Sequence, residues 1–315
     1  MKALITGVAG FIGSTLAERL IARGAEVTGL DCFTEYYPRP IKEANLRGLR
    51  ALKAFRLVES SIQQADLPAL LDGVTHVFHL AAQAGVRKSW GRDFQTYTVN
   101  NVEATQVLLE ALVDHPVHRV VYASSSSVYG DAVPIPMRED ALPQPVSPYG
   151  VTKLAAEHLC HLYHVNCGVP TVSLRYFTVY GPRQRPDMGF HRFLKAARDG
   201  QPITVYGDGR QTRDFTFVAD AVTATADAGT RGVPGQVYNI GGGSRVSLVE
   251  VLDLVGTVSG RRLDLRYEPP QKGDMRDTFA DTSRARADFD FRPTATLADG
   301  LKAEYEWLST SPVLS

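Results

Sequence analysis

Short apolar runs and helical faces alternate along the first 180 residues. Lys2–Thr6 (KALIT) reads as a buried strand. Over Ile12–Arg23, residues Ile12, Leu16, Leu20 and Ile21 share one helical face, and Gly24 stops that helix. Further strands are expected at Glu26–Asp31, His76–Ala81, Val117–Ser124 and Thr171–Tyr176, with helices at Val102–Leu112 and Pro148–His164. Runs such as VFHLAA are apolar without alternation, as a strand covered on both faces requires. Strand and helix in turn predict a doubly wound parallel sheet with crossover helices.

After Phe177 the pattern changes. Gly181–Asp187 (GPRQRPD) reads as a loop, Phe190–Ala197 and Leu248–Val258 as helices, and Pro202–Tyr206 and Leu263–Tyr267 as strands. Asp214–Val218 and Val237–Ile240 are expected to be strands returning to the main body. The expected division is therefore discontinuous: residues 1–177 with 210–246 form the sheet domain, and 178–209 with 247–315 form a smaller α/β lobe.

Composition narrows the function classes. The 315 residues are 44% hydrophobic and 22% charged, ordinary for a globular chain. Lys+Arg and Asp+Glu are both 34, and a zero net charge argues against a nucleic-acid binder. Cys32, Cys160 and Cys167 form no disulfide framework and have no zinc spacing, so no metal is expected. No apolar run approaches a membrane span, and the run at Ala3–Ile5 breaks at Thr6-Gly7, too early for an export signal. A cytoplasmic location is expected.

Candidate chemistry begins at Thr6-Gly7-Val8-Ala9-Gly10-Phe11-Ile12-Gly13. Glycines 7, 10 and 13 follow a strand and open a helix, the setting in which backbone approaches a pyrophosphate and the helix N-terminus faces it. Asp31 ends the second strand, 18 residues after Gly13. A carboxylate there accepts from a ribose 2′-hydroxyl and repels a 2′-phosphate, which favours NAD over NADP. The fold class expected is thus a Rossmann-type doubly wound sheet carrying a smaller, discontinuous C-terminal substrate lobe.

Tyr149 and Lys153 lie four apart in SPYGVTK and share a helical face. A phenol is a poor base at neutral pH, and a nearby ammonium lowers its pKa. The pair is a candidate general base for an alcohol being oxidised. Upstream, a strand ends in Ser124-Ser125-Ser126-Ser127, whose hydroxyls would face the crevice beyond the sheet's C-terminal edge.

Together these residues resemble the extended short-chain dehydrogenase/reductase family, and within it the nucleotide-sugar epimerases and dehydratases. The match includes TGVAGFIG, LAAQAGVR (80–87), the Asn100 region, SSSSVYG, YGVTK, LRYFTVYGPRQRPDM (174–188), GDGRQTRDF (207–215), NIGGG (239–243) and GDMRDTFAD (273–281). DCFTEYYPRPIKEANL (31–46) looks most like the UDP-glucuronate 4-epimerases.

The resemblance implies that Tyr149 takes the C4 hydroxyl proton, that Lys153 binds the nicotinamide ribose, and that Ser125 is the catalytic serine. It implies an NAD site of Gly7, Gly10, Phe11, Ile12, Gly13, Asp31, Ser61, Ile62, Leu80, Ala81, Ala82, Asn100, Tyr149, Lys153, Tyr176 and Phe177. A UDP-sugar is expected against Arg87, Ser125, Ser126, Ser127, Tyr149, Thr178 and Arg185. Arg192, Arg213 and Arg276 are candidates for its uridine diphosphate, and Asp274 for the ribose of that group. The family also implies a homodimer through the helices at 102–112 and 148–164.

Family dehydratases carry acidic residues just after the catalytic Thr, and decarboxylases often keep a Glu in this segment. Ser126 and Ser127 stand there instead. The expected reaction is therefore C4 epimerisation of a UDP-sugar, with UDP-glucuronate first and UDP-glucose/UDP-galactose as the alternative. A UDP-glucuronate decarboxylase and a non-catalytic NAD-binding protein are the remaining readings.

Overall fold

The computed structural model describes residues 1–311, 313 and 314. Its first half runs β1 (Lys2–Thr6), α1 (Phe11–Ala22), β2 (Glu26–Asp31), α2 (Arg39–Leu46), β3 (Phe55–Glu59), α3 (Leu67–Leu71) and β4 (His76–His79). The short α4 (Phe94–Tyr97) passes through a π-helical stretch, Thr98–Glu103, into α5 (Ala104–Asp114), followed by β5 (Arg119–Ser125), α6 (Pro148–Cys167) and β6 (Thr171–Tyr176). The rest comprises β7 (Val179–Tyr180), α7 (Gly189–Asp199), β8 (Ile203–Tyr206), β9 (Thr212–Asp214), β10 (Thr216–Phe217), α8 (Val218–Arg231) and β11 (Val237–Ile240). It ends with β12 (Arg245–Ser247), α9 (Leu248–Ser259), β13 (Leu265–Glu268), α10 (Ser283–Phe289) and α11 (Leu297–Thr310).

Seven parallel strands form the central sheet in the order β11-β6-β5-β4-β1-β2-β3. Its strands are apolar on both faces because both faces are covered. Ala3 and Ile5 of β1 pack with residues of α1, α8 and α10, while Leu4 packs on the opposite face with Ala156 and Leu108 of α6 and α5. Phe78 and Val77 divide in the same way. A separate cluster joins α7, α9 and α11 through Leu194, Val251, Val255, Leu301 and Leu308. Removing one such fully buried leucine side chain costs about 2–5 kcal/mol.

The structure departs from the sequence reading at identifiable places. β3 was not anticipated: it is the edge strand of the sheet, only partly buried, and its FRLVE is too polar to read as a covered strand. Asp214–Val218 does not rejoin the central sheet. It splits into β9, paired with β12, and β10, paired with β7, and Val218 instead begins α8. Helices α8, α10 and α11 were also missed. The alanine- and threonine-rich α8 buries mostly small side chains, which pack closely against α1 and leave no run of large apolar residues to mark the helix. Val237–Ile240 does join the sheet, at its β6 edge.

Candidate active site

The cradle after β1 is shaped by backbone proximity. A Cβ on Gly13 would lie 2.9 Å from the Gly7 carbonyl carbon and closer still to its oxygen, so no larger residue fits. Asp31 closes the second strand with both carboxylate oxygens engaged: Oδ2 accepts from Ala9 N at 2.9 Å and Oδ1 from Phe33 N at 2.8 Å. The carboxylate thus ties the glycine loop to the segment after β2.

A cleft along the sheet's C-terminal edge is lined by Gly7, Gly10, Phe11, Ile12 and Gly13, by Asp31, Ser61 and Ile62, and by Leu80, Ala81, Ala82, Asn100, Tyr149, Lys153 and Tyr176. These are the expected cofactor residues with one exception. Phe177 is fully buried outside the cleft, packed with Val128, Tyr129, Met137, Met275 and Ala280. Successive residues at the end of β6 face opposite ways, so Tyr176 takes the cleft side. Sequence reasoning missed Tyr36, Tyr37 and Lys42, which also line this cleft. Their signal was faint: Lys42 Nζ is turned inward to the Thr34 carbonyl at 2.6 Å, an unusual place for a lysine.

A second cleft adjoins the first at Tyr149. It is lined by Arg87, Ser125, Ser126, Ser127, Thr178, Arg185, Arg192 and Asp274. Arg213 and Arg276 are not in it. They line an adjoining cavity with Tyr206 and Asp274. Arg213 donates to the carbonyls of Thr212, Met275 and Arg276, and Arg276 bonds Asp208 at 3.2 Å. Arg87 and Asp274, both read as ligand contacts, pair with each other at 2.6 Å.

The local sequence brings Tyr149 and the serines together. Ser147 caps α6 by accepting from Gly150 N at 3.1 Å, and Pro148 takes the first helical position, where its missing N–H costs nothing. Gly150 lets the helix press on the serine turn, since a Cβ there would meet the Ser127 carbonyl oxygen at 2.5 Å. Ser125 Oγ accepts from Ser127 N, while Ser124 turns away and donates to Glu157 at 2.6 Å. Asn101, next to the expected Asn100, accepts from Gln83 N at 2.7 Å and donates to Thr152 Oγ1 at 2.9 Å, pinning the loop after β4 to α6.

Burial pushes the Tyr149 phenol up, and the Arg185 charge and a hydrogen bond with Ser125 pull it back. Arg185 is thus a cation near this phenol beyond the Lys153 that the helical spacing places one turn along α6. Burial pulls the Lys153 ammonium down to about 7, against the opposing charge of Glu157. Arg185 itself is held side-on by Asp187. Among the described residues no group of three His, Cys, Asp or Glu side chains is arranged to hold a metal, and no helix is long and apolar enough to cross a membrane.

The model of the NAD dependent epimerase/dehydratase family matches residues 3–241. The chain belongs to this family. A Bacillus subtilis (strain 168) member, the uncharacterized UDP-glucose epimerase YtcB, is 45% identical, over 98% of each chain. The UDP-glucuronate 4-epimerase of Thermodesulfobacterium geofontis is 35% identical over 96% of this chain and 95% of that one. Among solved structures, the Bacillus cereus UDP-glucuronic acid 4-epimerase in complex with UDP-glucuronic acid and NAD superimposes with a TM-score of 0.95 at 44% identity, covering 98% and 99% of the two chains. The family fold is the doubly wound sheet described above, and the members just named are UDP-sugar epimerases, one of them in complex with NAD.

Proposed function

We propose that this family member is an NAD-dependent UDP-sugar 4-epimerase that interconverts UDP-glucuronate and UDP-galacturonate through a transient 4-keto sugar. One observation carries the choice of an acid sugar: the second cleft is walled by the hydroxyls of Ser125–Ser127 and Thr178 together with the Arg185 guanidinium, directly beside Tyr149. The serines offer no carboxylate for the C5 and C6 proton transfers of a dehydratase.

The first cleft fits NAD by its own geometry. The Gly7–Gly13 cradle leaves no room for a side chain, and the Asp31 carboxylate stands at the strand end where an adenosine ribose would lie. When bound, NAD supplies the hydride acceptor and donor at C4. In this proposal Tyr149 removes the C4 hydroxyl proton and later returns it, and Ser125 hydrogen-bonds the reacting oxygen. Lys153 holds the nicotinamide ribose, placing a positive charge below the phenol. Ser126, Ser127, Thr178 and Arg185 hold the sugar carboxylate away from alignment with the C4 carbonyl, which is what keeps a β-keto acid from losing carbon dioxide. Arg87, Arg192, Arg213, Arg276 and Asp274 are assigned to the uridine diphosphate.

The proposed boundaries are 1–177 with 210–246 for NAD and 178–209 with 247–315 for the nucleotide sugar, amended at one segment of the second unit. Ala285, Phe289 and Phe291 pack into the core of the central sheet, so the segment around α10 is assigned to the first unit. The exposed Val113 of α5 and Val151, Leu162 and Val165 of α6 support a homodimer through these helices. A cytoplasmic location is consistent with a nucleotide-sugar substrate.

The test is incubation of the purified protein with UDP-glucuronate or UDP-glucose, without added cofactor, followed by proton NMR of the sugar. UDP-galacturonate from the acid sugar alone is expected. A UDP-pentose product would establish the decarboxylase instead, and turnover of UDP-glucose alone would remove the carboxylate role of Thr178 and Arg185.

A further inference from the structure

Arg185 is already occupied by a carboxylate of the chain's own. Its Nε donates to Asp187 Oδ1 and its Nη2 to Oδ2, each at 3.0 Å, the side-on geometry in which guanidinium and carboxylate match best. Two residues of one loop form this pair. Asp187 Oδ2 takes a further hydrogen bond, at 3.2 Å, from the hydroxyl of Tyr36 in the segment after β2. The Tyr36 ring in turn faces Arg185 and Lys88, with the two cations 6.0 and 5.2 Å from its centroid. All four side chains line the second cleft, and the ion pair is about a quarter exposed.

We infer that Asp187 is an internal competitor for the substrate carboxylate, a specificity-determining residue that holds Arg185 until an acid sugar displaces it. The inference rests on the substrate reading above. A guanidinium presents that edge to one carboxylate at a time, so a glucuronate that engages it must evict Asp187. The exchange leaves the charge count at Arg185 unchanged. The evicted carboxylate keeps its hydrogen bond from Tyr36, which lowers the cost of its release. A neutral sugar offers the guanidinium only hydroxyl acceptors, which do not outcompete a carboxylate, and leaves the pair intact. Preference for the acid sugar is therefore set by a difference between two carboxylates, not by the full strength of one ion pair.

The two neighbours of Arg185 should then act with opposite sign. Asp187→Asn removes the competitor and should raise the ratio of UDP-glucose to UDP-glucuronate dissociation constants by roughly two- to fivefold, the scale of a partly exposed ion pair. Tyr36→Phe leaves the evicted carboxylate without its partner and should lower the same ratio. Both constants would be measured by calorimetry on the NAD-loaded enzyme, with bound NAD quantified per chain because Tyr36 also lines the first cleft. Should Tyr36→Phe lose its cofactor, Asp187→Asn decides alone. A fall in the ratio for Asp187→Asn would mean that Asp187 merely orients Arg185 and would overturn the inference, as would an unchanged ratio. Turnover by the wild-type enzyme separates the two levels. If it converts only UDP-glucose, the substrate reading and the inference fall together. If it converts UDP-glucuronate and the variants do not shift the ratio, the inference falls alone.

Discussion

The ammonium of Lys153 rests on the face of Tyr122, with Nζ 4.5 Å from the ring centroid, and makes no hydrogen bond to the Tyr149 hydroxyl one turn earlier on α6. A buried cation on an aromatic face is only partly compensated for its lost hydration.

That burial pulls the Lys153 pKa to about 7, from 10.5 in a solvated chain. Between those values the unfolded chain binds more protons than the folded one, so stability rises with pH across this interval. The penalty is fully present below pH 7. The cofactor-free protein should therefore melt several degrees higher at pH 9 than at pH 7, and Lys153→Met should flatten that dependence. Calorimetric melting of both proteins across this range checks it. An equal slope in the variant would mean that other groups set the pH dependence.

The four consecutive serines separate into different tasks. Ser125 Oγ lies on the cleft side and interacts with Tyr149, whereas Ser124 Oγ donates to the buried Glu157. Ser125→Ala should lower kcat about 10²-fold with little change in stability. Ser124→Ala should keep most of kcat and lose about 1.5–3 kcal/mol of stability, the worth of a hydrogen bond to a charged group. Steady-state kinetics and urea unfolding of the pair test this, and the reverse pattern would move the catalytic assignment to Ser124.

Glu157, one turn beyond Lys153, is gripped by Arg175 through Nε–Oε2 at 3.1 Å and Nη2–Oε1 at 2.6 Å, with both side chains almost completely buried. Glu157→Gln strands the guanidinium and should cost about 3–5 kcal/mol. Replacing both partners, Glu157→Leu with Arg175→Met, should cost less than that single change, because no buried charge is left unpaired. Denaturant midpoints of the two proteins decide the matter. A double variant that is the less stable of the two would show that the pair gives more than it costs in desolvation.

The parts of the molecule that could be read from sequence are those where local pattern and tertiary role agree. Strands β1, β2 and β6 were legible because their runs are covered on both faces, and the Gly7–Gly13 cradle because its spacing follows a strand and opens a helix. β3 was hidden by its place at the sheet edge, where Arg56 and Glu59 meet water and no residue is fully buried. Phe177 was misplaced because pattern gives a strand's end but not the side to which the last residue turns. Arg213 illustrates a deeper limit. Its guanidinium donates to the backbone carbonyls of Met275 and Arg276, residues more than sixty positions away, a relationship that no spacing rule contains.

Glu304 on α11 gives the last prediction. It is fully buried, its Oε2 accepts from Gly181 N at 2.8 Å, and its Oε1 has no partner among the described residues. Burial raises its pKa well above the ordinary 4.5. A carboxyl raised in this way contributes stability that is fully present below its unfolded pKa and fades as pH rises toward the folded value. Glutamine keeps an oxygen for Gly181 and cannot ionise. Glu304→Gln should therefore match the wild type near pH 5 and become increasingly the more stable protein as pH rises to 8. Gly181 opens the loop that carries Arg185 and Asp187, so the same substitution should leave the acid-sugar preference unchanged if the backbone tether is what matters. Melting curves at several pH values test the first expectation, and curves that stay parallel would show that the buried carboxyl does not carry the shift.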